Sequence, residues 1–324
     1  MLYTTLDILR PAKVEFAPHV ENLLIVNNSK VQPTDVGHTI ISLNGQTQKV
    51  ETQTDSVALF CLSVLTEEIE MTDFFASVDL LLNSINYGQN FNSVTPLQRM
   101  TVEELCKTHD VDAVLSLDHV AAKSEVQEYY DSSWMQFTAV MATLYETFWS
   151  IHYPNKIGTT AVHFKDSLFW ESESYNRAKA LEALPDRQHA LIDGAMLAGQ
   201  NSAKRFVPYW EKGDRYFFDS NKKLMKQGMD SVYVKNWEGA LDCWERVFNS
   251  TKNMKLQAEA ANNIAIANEI LGNYDKALEY TQTAFDTFNS QVLIDYELLI
   301  RLLAYSYELQ RRKNEIELLN KQLE

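Results

Sequence analysis

The sequence predicts two domains: an α+β domain with a mixed sheet over residues 1–210, and an all-α domain of helical hairpins over residues 211–324. In the first, short apolar runs alternate with segments of helical periodicity, which is typical of strands joined by crossover helices. A two-residue period follows, which indicates an antiparallel hairpin. In the second, one helical pattern occurs twice, which indicates stacked helix pairs. With 324 residues, 45% of them hydrophobic, the chain is large enough for two cores.

The first domain opens with an extended segment over residues 6–14, followed by a continuous apolar run at 23–26. Such a run predicts a strand that is buried on both faces. Residues 30–54 are polar and predict a long loop. Residues 56–70 carry apolar side chains at three-and-four spacing, which predicts an amphipathic helix with Asp55 as its cap.

The next three elements repeat this alternation. A strand is predicted at residues 77–85, a short helix from its capping residue Thr101 to His109, and a strand at 113–118. The order of strand, helix, strand, helix and strand implies right-handed crossovers onto one sheet.

A long antiparallel hairpin is predicted at the edge of this sheet. The two-residue period runs over residues 134–153 and returns over 159–170, with a turn at 154–158 between them. Residues 165–167 are expected to form a bulge or a second turn.

A further helix opens at Pro185 and Asp186 and ends before Pro208. Its small residues are spaced for close packing against another element: Ala190, Gly194, Ala195, Ala198 and Gly199. Aromatic residues then mark the joint between the two domains: Phe206, Tyr209, Trp210, Tyr216, Phe217 and Phe218. They either pack the domains together or bind a carbohydrate or peptide.

The helical repeat is defined by four positions that recur with a shift of 274 − 237 = 37 residues. They are Trp237, Ala240, Trp244 and Val247, then Tyr274, Ala277, Thr281 and Ala284. A small residue in the preceding helix, Gly228 and then Ala265, allows the paired helices to approach closely. A third, degenerate pair is predicted over residues 292–323. The pattern resembles the tetratricopeptide repeat, whose stacked hairpins form surfaces that hold other molecules.

Composition excludes several classes of protein. The net charge of −15 repels a phosphate backbone, which excludes nucleic acid as a partner. No apolar run approaches the roughly 20 residues that span a bilayer, and the first residues lack the basic start and apolar core of a signal peptide. Cys61, Cys106 and Cys243 lie far apart, which predicts buried free thiols and neither a disulfide nor a zinc site.

The sequence contains no glycine-rich phosphate loop, zinc-binding helix motif or nucleophile elbow, so no catalytic residue, metal or cofactor is predicted. His109 and His119 stand beside aspartates, but without ligand spacing, and both fit loop residues equally well. Asp118, Asn27 and Asn28 end predicted strands, where open α/β sheets bind ligands. The alternative role for Asp118 is to cap or order a loop.

The sharper binding prediction concerns the concave face of the repeats. The repeat phase turns nine side chains toward this groove: Lys222, Met225, Lys226, Met229, Tyr233, Glu259, Asn262, Asn263 and Ile266. Lys226 with Asn262 or Asn263 is expected to hold a peptide carboxylate, because ammonium and amide donors converge there. The alternative is that the first domain closes so short a groove.

Residues 6–28, with their LDILRPAKV opening and LLIVNN strand, resemble an uncharacterised family of tetratricopeptide-bearing lipoproteins from the envelopes of gut-type Gram-negative bacteria. Residues 113–118, 166–170 and 194–210 agree with it. In that family a lipid-modified cysteine ends a signal peptide just upstream of the opening. The resemblance therefore implies an envelope location, with a lipid anchor before Met1 as the membrane attachment. The first half is also similar in element order to the nucleotide-free α/β domain of curli-secretion-type lipoproteins.

These observations leave three functional hypotheses. The first is a non-enzymatic envelope lipoprotein whose repeats bind a protein or peptide partner, with the α/β domain as its platform. The second is a small-molecule-binding protein or enzyme with a site at the strand ends near Asn27, Asn28 and Asp118. The third is a cytoplasmic tetratricopeptide adaptor, which a signal peptide and cysteine encoded upstream of Met1 would exclude.

Overall fold

The computed structural model describes residues 2–86, 90–155, 159–291 and 295–323. It divides into two compact units, which we call the α/β unit (Ala12–Pro208) and the helical-hairpin unit (Met1–Pro11 with Tyr209–Glu324). The predicted fold class is confirmed, since an α+β region with a mixed sheet is followed by a region of paired helices.

The α/β unit contains one sheet and four helices in the part of the chain that is described. Its strands are β2 (Asn22–Asn27), β3 (His38–Ile41), β4 (Thr47–Lys49), β5 (Ser77–Leu81), β6 (Ala113–Asp131), β7 (Gln136–His152) and β8 (Thr160–Ser174). Its helices are α1 (Val57–Glu70), α2 (Arg99–His109), α3 (Arg177–Glu182) and α4 (Arg187–Phe206).

Strand β6 organises the sheet because it is long enough to serve three neighbours. Along one side it pairs in parallel first with β2 and then with β3, and along the other side it pairs antiparallel with β7. Strand β5 lies parallel to β2, β4 lies antiparallel to β3, and β8 lies antiparallel to β7. The apolar run of β2 is buried on both faces, as predicted, because helices cover this part of the sheet on each side.

Helices α1 and α4 pack closely over one face of the sheet. A β-carbon on Gly199 would lie 2.3 Å from the carbonyl oxygen of Cys61, so only glycine lets the α4 backbone come this near to α1. The predicted role of the small residues in α4 is therefore confirmed at this position. Helix α4 begins after Asp186, which caps it by accepting hydrogen bonds from the backbone N–H groups of Gln188 and His189.

Several local predictions in the α/β unit are wrong. The loop predicted at 30–54 contains β3 and β4, which are only four and three residues long and show no alternation of apolar and polar residues. Asp55 does not cap α1, which begins after Ser56 without a side-chain cap, and Thr101 lies inside α2 instead of capping it. Residues 165–167 form no bulge or turn, because the register between β7 and β8 is continuous there.

The predicted long hairpin is confirmed in β7 and β8. Part of its turn, residues 156–158, lies outside the described residues. The strand predicted at 113–118 continues to Asp131, because the alternating residues that follow pair with β7 along their whole length.

The helical-hairpin unit begins with a two-stranded ribbon. Its strands β1 (Leu2–Arg10) and β9 (Tyr209–Phe217) pair antiparallel, although they lie about 200 residues apart in sequence. The helices are α5 (Lys223–Tyr233), α6 (Trp237–Ser250), α7 (Met254–Ile270), α8 (Tyr274–Asn289) and α9 (Tyr296–Leu323).

The repeat pattern predicts the helical packing well. Trp237 and Tyr274 are the first residues of α6 and α8, and the buried positions that follow are Ala240, Trp244, Val247, Ala277, Thr281 and Ala284. A β-carbon on Gly228 would meet the indole ring of Trp244 at 2.3 Å. The third pair predicted over 292–323 is wrong, since α9 is one continuous helix from Tyr296; residues 292–294 lie outside the described residues.

The predicted aromatic cluster does not form as one group. Phe206 packs edge-on against Trp149 in the core of the α/β unit, whereas Phe217 stacks on Trp244 in the core of the helical-hairpin unit. Cys61 and Cys106 are buried free thiols, as expected, and Cys243 is a half-buried free thiol. Within the described residues, no helix combines the length and apolar character that crossing a bilayer requires.

Candidate binding site in the helical-hairpin unit

A cavity of about 260 Å³ lies between strand β9 and helices α7 and α9. Its lining combines apolar side chains, two tyrosines and four charged groups: Asp214, Arg215, Tyr216, Asn262, Ile266, Arg301, Ala304, Tyr305 and Glu308. Although most of these residues carry a polar group, apolar atoms form most of the surface that faces the cavity, which is the usual composition of a ligand site. We refer to this space as the β9 cavity.

Two asparagines of α7 fix the position of the strand that forms one wall. The side-chain amide of Asn263 accepts a hydrogen bond from the backbone N–H of Phe218 and donates one to its carbonyl oxygen, both at 2.8 Å. The Asn262 amide nitrogen donates to the carbonyl oxygen of Tyr216 at 3.1 Å. Helix α7 therefore completes the hydrogen bonding of the chain at the end of β9 and fixes this cavity wall to the helix.

A buried ionic cluster supports the floor of the β9 cavity. Arg215 donates two hydrogen bonds to the carboxylate of Glu269, at 2.6 and 2.7 Å. Arg312 and the hydroxyl of Tyr305 bind the same carboxylate, the hydroxyl at 2.8 Å. Burial would raise the pKa of Glu269, but the hydrogen bonds and charge of Arg215 and the charge of Arg312 outweigh it, so the pKa lies below its usual value. The guanidinium of Arg215 is therefore held by Glu269 and stabilises the fold.

Of the two arginines that line the cavity, Arg301 is held by weaker interactions than Arg215. It pairs with Glu297 one turn away on α9, and 39% and 76% of their side-chain surfaces are exposed. It also donates a long hydrogen bond, 3.3 Å, to the hydroxyl of the exposed Tyr3 on β1. Such an exposed pair contributes about 0–1 kcal/mol, so a ligand carboxylate can compete with Glu297 for Arg301. The Arg301 guanidinium lies 5.7 Å from the centre of the Tyr216 ring. It therefore stands beside the aromatic wall of the cavity.

The hydroxyl of Tyr216 is buried and lacks a hydrogen-bond partner among the described residues. Burial raises the pKa of Tyr216 to about 12, which keeps the hydroxyl protonated and able to donate. A buried hydroxyl without a partner costs free energy that a bound acceptor would recover. The β9 cavity thus offers a hydroxyl donor and a guanidinium next to apolar surface.

Glu308 closes the cavity on the side of strand β1. Together with Glu211 and Glu315 it surrounds the guanidinium of Arg10, of which only 2% of the side chain is exposed. Burial would lower the pKa of Arg10, but the hydrogen bonds to the three glutamates raise it well above its usual value. The carboxylate of Glu308 therefore binds Arg10, and this ion pair ties α9 to the ribbon of β1 and β9.

The structure separates the nine residues of the predicted groove. Asn262 and Ile266 line the β9 cavity, Asn263 is fully buried beside it, and Glu259 is half-buried. Helix α5 does not line this cavity: Met225 and Met229 are core residues, while Lys222, Lys226 and Tyr233 are exposed. Lys226 does not line the cavity with either asparagine of the expected carboxylate site. The amide nitrogens of Asn262 and Asn263 already donate to the backbone carbonyl oxygens of Tyr216 and Phe218.

The strand ends of the α/β unit form a closed polar network. Asp118 is the extra residue of a β-bulge in β6 and is 2% exposed. Its carboxylate accepts hydrogen bonds from Asn28 at 2.8 Å, from Ser116 at 2.7 Å and from Ser150 at 2.5 Å. Because neighbouring side chains already bind both carboxylate oxygens in the interior, this arrangement orders the strand ends.

Other polar groups near these strand ends are also occupied. Asn27 donates to the carbonyl oxygen of Leu82 and accepts from both the N–H and the hydroxyl of Ser29. It borders a cavity of about 40 Å³, which has room for water but not for a metabolite. His119 is packed between the rings of Phe91 and Phe148, and burial lowers its pKa. No group of three or more metal-ligating side chains is found among the described residues.

Comparison with known protein families divides the chain in two. Residues 20–218, more than half of the chain, match a family described as a domain of unknown function (DUF8603). The chain belongs to the DUF8603 family. Residues 226–311 match a second family, also described as a domain of unknown function (DUF6340). No curated protein matches the chain.

The DUF8603 match includes strand β9 and therefore one wall of the β9 cavity, while Asn262, Ile266, Arg301 and Tyr305 lie in the DUF6340 match. Sequence reasoning missed the residues on β9 and α9. A signal was present on α9, where Arg301, Tyr305 and Glu308 follow the spacing of one helical face. On β9 the sequence carries no such signal, because charged residues and a glycine separate Trp210 from Tyr216 and no apolar alternation is present.

Proposed function

We propose that this protein is a non-enzymatic binding protein whose helical-hairpin unit holds a segment of a protein or peptide partner in the β9 cavity. The observation that carries the proposal is the cavity itself. It combines apolar walls, the guanidinium of Arg301, for which a ligand carboxylate can compete with Glu297, and the Tyr216 hydroxyl, which has no hydrogen-bond partner among the described residues. Its volume of about 260 Å³ lies just under the roughly 300–1,000 Å³ of sites for whole small molecules. A space of this size suits one bulky side chain or a chain terminus.

The chemistry of the lining defines the segment that fits. An apolar side chain would pack against Ile266 and Ala304, and a carboxylate next to it would bind Arg301. The Tyr216 hydroxyl would donate to a carbonyl or carboxylate oxygen of the segment. The expected ligand is therefore a peptide segment with an apolar residue beside an acidic residue or a C-terminal carboxylate.

Peptide selection against the full chain tests this function. A displayed library of random peptides is selected on the immobilised protein, and the enriched peptides are then measured against the Ala304→Trp variant by calorimetry. Ala304 is exposed at the cavity wall, so the indole fills the cavity without entering the core, and affinity should fall at least about tenfold. The matched control is Leu303→Trp, which adds the same ring at an exposed neighbouring position outside the cavity.

The expected result is equal binding to the parent and to Leu303→Trp, with loss in Ala304→Trp. Arg301→Gln should weaken the acidic peptides while sparing neutral ones. The proposal is wrong if selection enriches no peptide, or if the enriched peptides bind Ala304→Trp as tightly as the parent.

We further propose that the protein works in the cell envelope as a lipoprotein, with the α/β unit as a platform. The support is the resemblance of residues 6–28 and 194–210 to envelope lipoproteins. Sequencing the gene upstream of the Met1 codon and labelling cells with radioactive palmitate test this location. An upstream apolar run ending in cysteine, with label on the protein, supports it; absence of both contradicts it and favours the cytoplasmic adaptor.

A further inference from the structure

The sheet of the α/β unit has two very different edges. Strands β4 and β5, which end the sheet on one side, have 3 and 5 residues. Strand β8, on the other side, has 15 residues and, among the described residues, pairs with β7 alone. Short edge strands protect a sheet from pairing with other chains, whereas a long edge strand presents a row of free N–H and C=O groups.

Strand β8 lacks two of the structural devices that usually block such pairing, namely proline and a β-bulge. Residues 160–174 contain neither proline nor glycine, and their register with β7 is continuous, without a bulge. None of the 15 residues is buried, and 69% of the Phe169 surface is exposed. The inward-pointing carboxylate of Asp166 is neutralised by two hydrogen bonds from Arg205, each 2.8 Å long. The strand is therefore regular in its pairing and accessible to a neighbour.

The charges on the outer face of β8 show which neighbour fits. Its first half carries His163 and Lys165, and its second half carries Glu171 and Glu173. A strand with a basic first half and an acidic second half is complementary to itself when two copies run antiparallel. We propose that strand β8 pairs antiparallel with β8 of a second copy of this chain, joining the two sheets into one.

The alternation of backbone groups restricts the register of this pairing. Two antiparallel copies of the same strand are related by a twofold axis. Because N–H and C=O groups point outward only at every second residue, hydrogen bonds form only in registers where this axis passes through a residue. With the axis at Leu168, Lys165 faces the partner's Glu171 and His163 faces the partner's Glu173. With the axis at Ser167 or Phe169, only one of the two basic residues faces a glutamate.

The chosen register has two further consequences. It pairs residues 162–174 of both copies, which forms about a dozen backbone hydrogen bonds. It also places each Phe169 opposite the partner's Ser167 and diagonal to the partner's Phe169, so the exposed rings shield one another. Both consequences favour the axis at Leu168.

Charge reversal gives a test in which the variants check each other. In Lys165→Glu, the new glutamate of each copy would face the partner's Glu171. In Glu171→Lys, the new lysine of each copy would face the partner's Lys165. Each variant alone should dimerise at least about tenfold more weakly than the parent, because two attractive pairs become two repulsive ones. An equimolar mixture of the two variants restores both attractive pairs and should form a heterodimer with the affinity of the parent.

The measurements are sedimentation velocity over a concentration series for the full chain and its variants, and native mass spectrometry of the mixture. Lys123→Glu is the matched control. Lys123 and Lys165 both lie within 4 Å of Glu146, at 3.9 and 3.4 Å, but Lys123 is on β6, away from the edge. The control should dimerise like the parent.

A monomeric parent at every concentration would overturn the proposal. So would single variants that dimerise as tightly as the parent, a mixture without preferential heterodimers, or a Lys123→Glu control as weak as Lys165→Glu. The double variant Lys165→Glu/Glu171→Lys should recover the parent's affinity, and its failure to do so would also contradict the register.

Discussion

Glu269 in the helical-hairpin unit and Asp118 in the α/β unit are both buried, with 1% and 2% of their surfaces exposed. Their surroundings differ in charge. Glu269 is held by the guanidinium groups of Arg215 and Arg312, whereas Asp118 accepts its hydrogen bonds from an asparagine and two serines. The first carboxylate balances buried positive charge, and the second orders neutral dipoles.

This difference shows that burial alone does not determine what a carboxylate does for a fold. Removing the charge of Glu269 leaves the largely buried guanidinium groups of Arg215 and Arg312 without their shared counter-charge, which is the costly case. Removing the charge of Asp118 leaves neutral donors that can rotate and bind an amide. The two sites should therefore respond differently to the same chemical change.

Conversion of each carboxylate to its amide should separate the two sites most strongly. We expect Glu269→Gln to lower the free energy of unfolding by about 3–5 kcal/mol, because Arg215 and Arg312 lose their counter-charge. Asp118→Asn should cost about 1 kcal/mol, since its amide oxygen can still accept from Asn28 and Ser116. Urea unfolding followed by ¹⁹F NMR of labelled tryptophan, with Trp244 and Trp149 reporting on the two units, measures both.

Glu297→Gln is the control for the first variant, because this glutamate pairs with Arg301 on the exposed surface of α9. It should change the stability by less than about 1 kcal/mol. Equal losses in Glu269→Gln and Asp118→Asn would show that the charge of the surrounding groups does not distinguish the sites.

Glycine contacts provide a second comparison of the units. A β-carbon on Gly199 would meet the backbone carbonyl of Cys61, and one on Gly228 would meet the Trp244 side chain, each at 2.3 Å. The backbone of α1 can move only with the whole helix, so we expect Gly199→Ala to cost about 2–3 kcal/mol. Gly228→Ala should cost less, about 1 kcal/mol, because the ring can shift and alanine favours the helix by a similar amount. Thermal unfolding of both variants checks the order, and a larger loss in Gly228→Ala would reverse the argument.

The smallest expected effect is a difference in response to mild acid. All seven histidines of the chain lie in the α/β unit. Burial lowers the pKa of His38, His119 and His152 below the ordinary 6.5, so the unfolded state binds protons more readily than the folded state. Their contribution to stability is complete above about pH 6.5 and declines as the pH falls toward the folded values.

The helical-hairpin unit should respond only at lower pH. The pKa of Glu269 lies below its ordinary 4.5, so its contribution persists above that value and is lost as the pH falls through the folded pKa. Burial raises the pKa of Glu259, which acts in the opposite sense. Urea unfolding at pH 7 and pH 5.5, with the Trp149 and Trp244 signals resolved, should show loss only in the α/β unit. A parallel loss at Trp244 would contradict the assignment.

Much of the fold could be predicted because local periodicity carries it. The apolar run of β2, the amphipathic stripe of α1 and the 37-residue shift from Trp237 to Tyr274 each depend on residues close together in sequence. The short strands β3 and β4 could not be predicted because they carry no alternation of apolar and polar residues, and pairing with a neighbour is what makes them strands.

The candidate site was predicted only in part for the same physical reason. Asn262 and Ile266 were placed correctly on an inward face of α7 by the repeat phase. Their neighbours across the cavity, such as Tyr216 and Arg301, come from segments with no recurring pattern that relates them to α7. Proximity between such segments is a property of the folded chain.

The sequence by itself determined most of the longer strands and helices, the two helix pairs of the repeat and the small residues at helix crossings, because these follow from spacing along the chain. Only the tertiary structure decided that β1 joins β9, that Arg215 and Arg312 share Glu269, and that β8 is left at an edge. Hydrogen bonds and ion pairs between distant segments depend on which surfaces pack together, and that choice minimises the free energy of the whole chain.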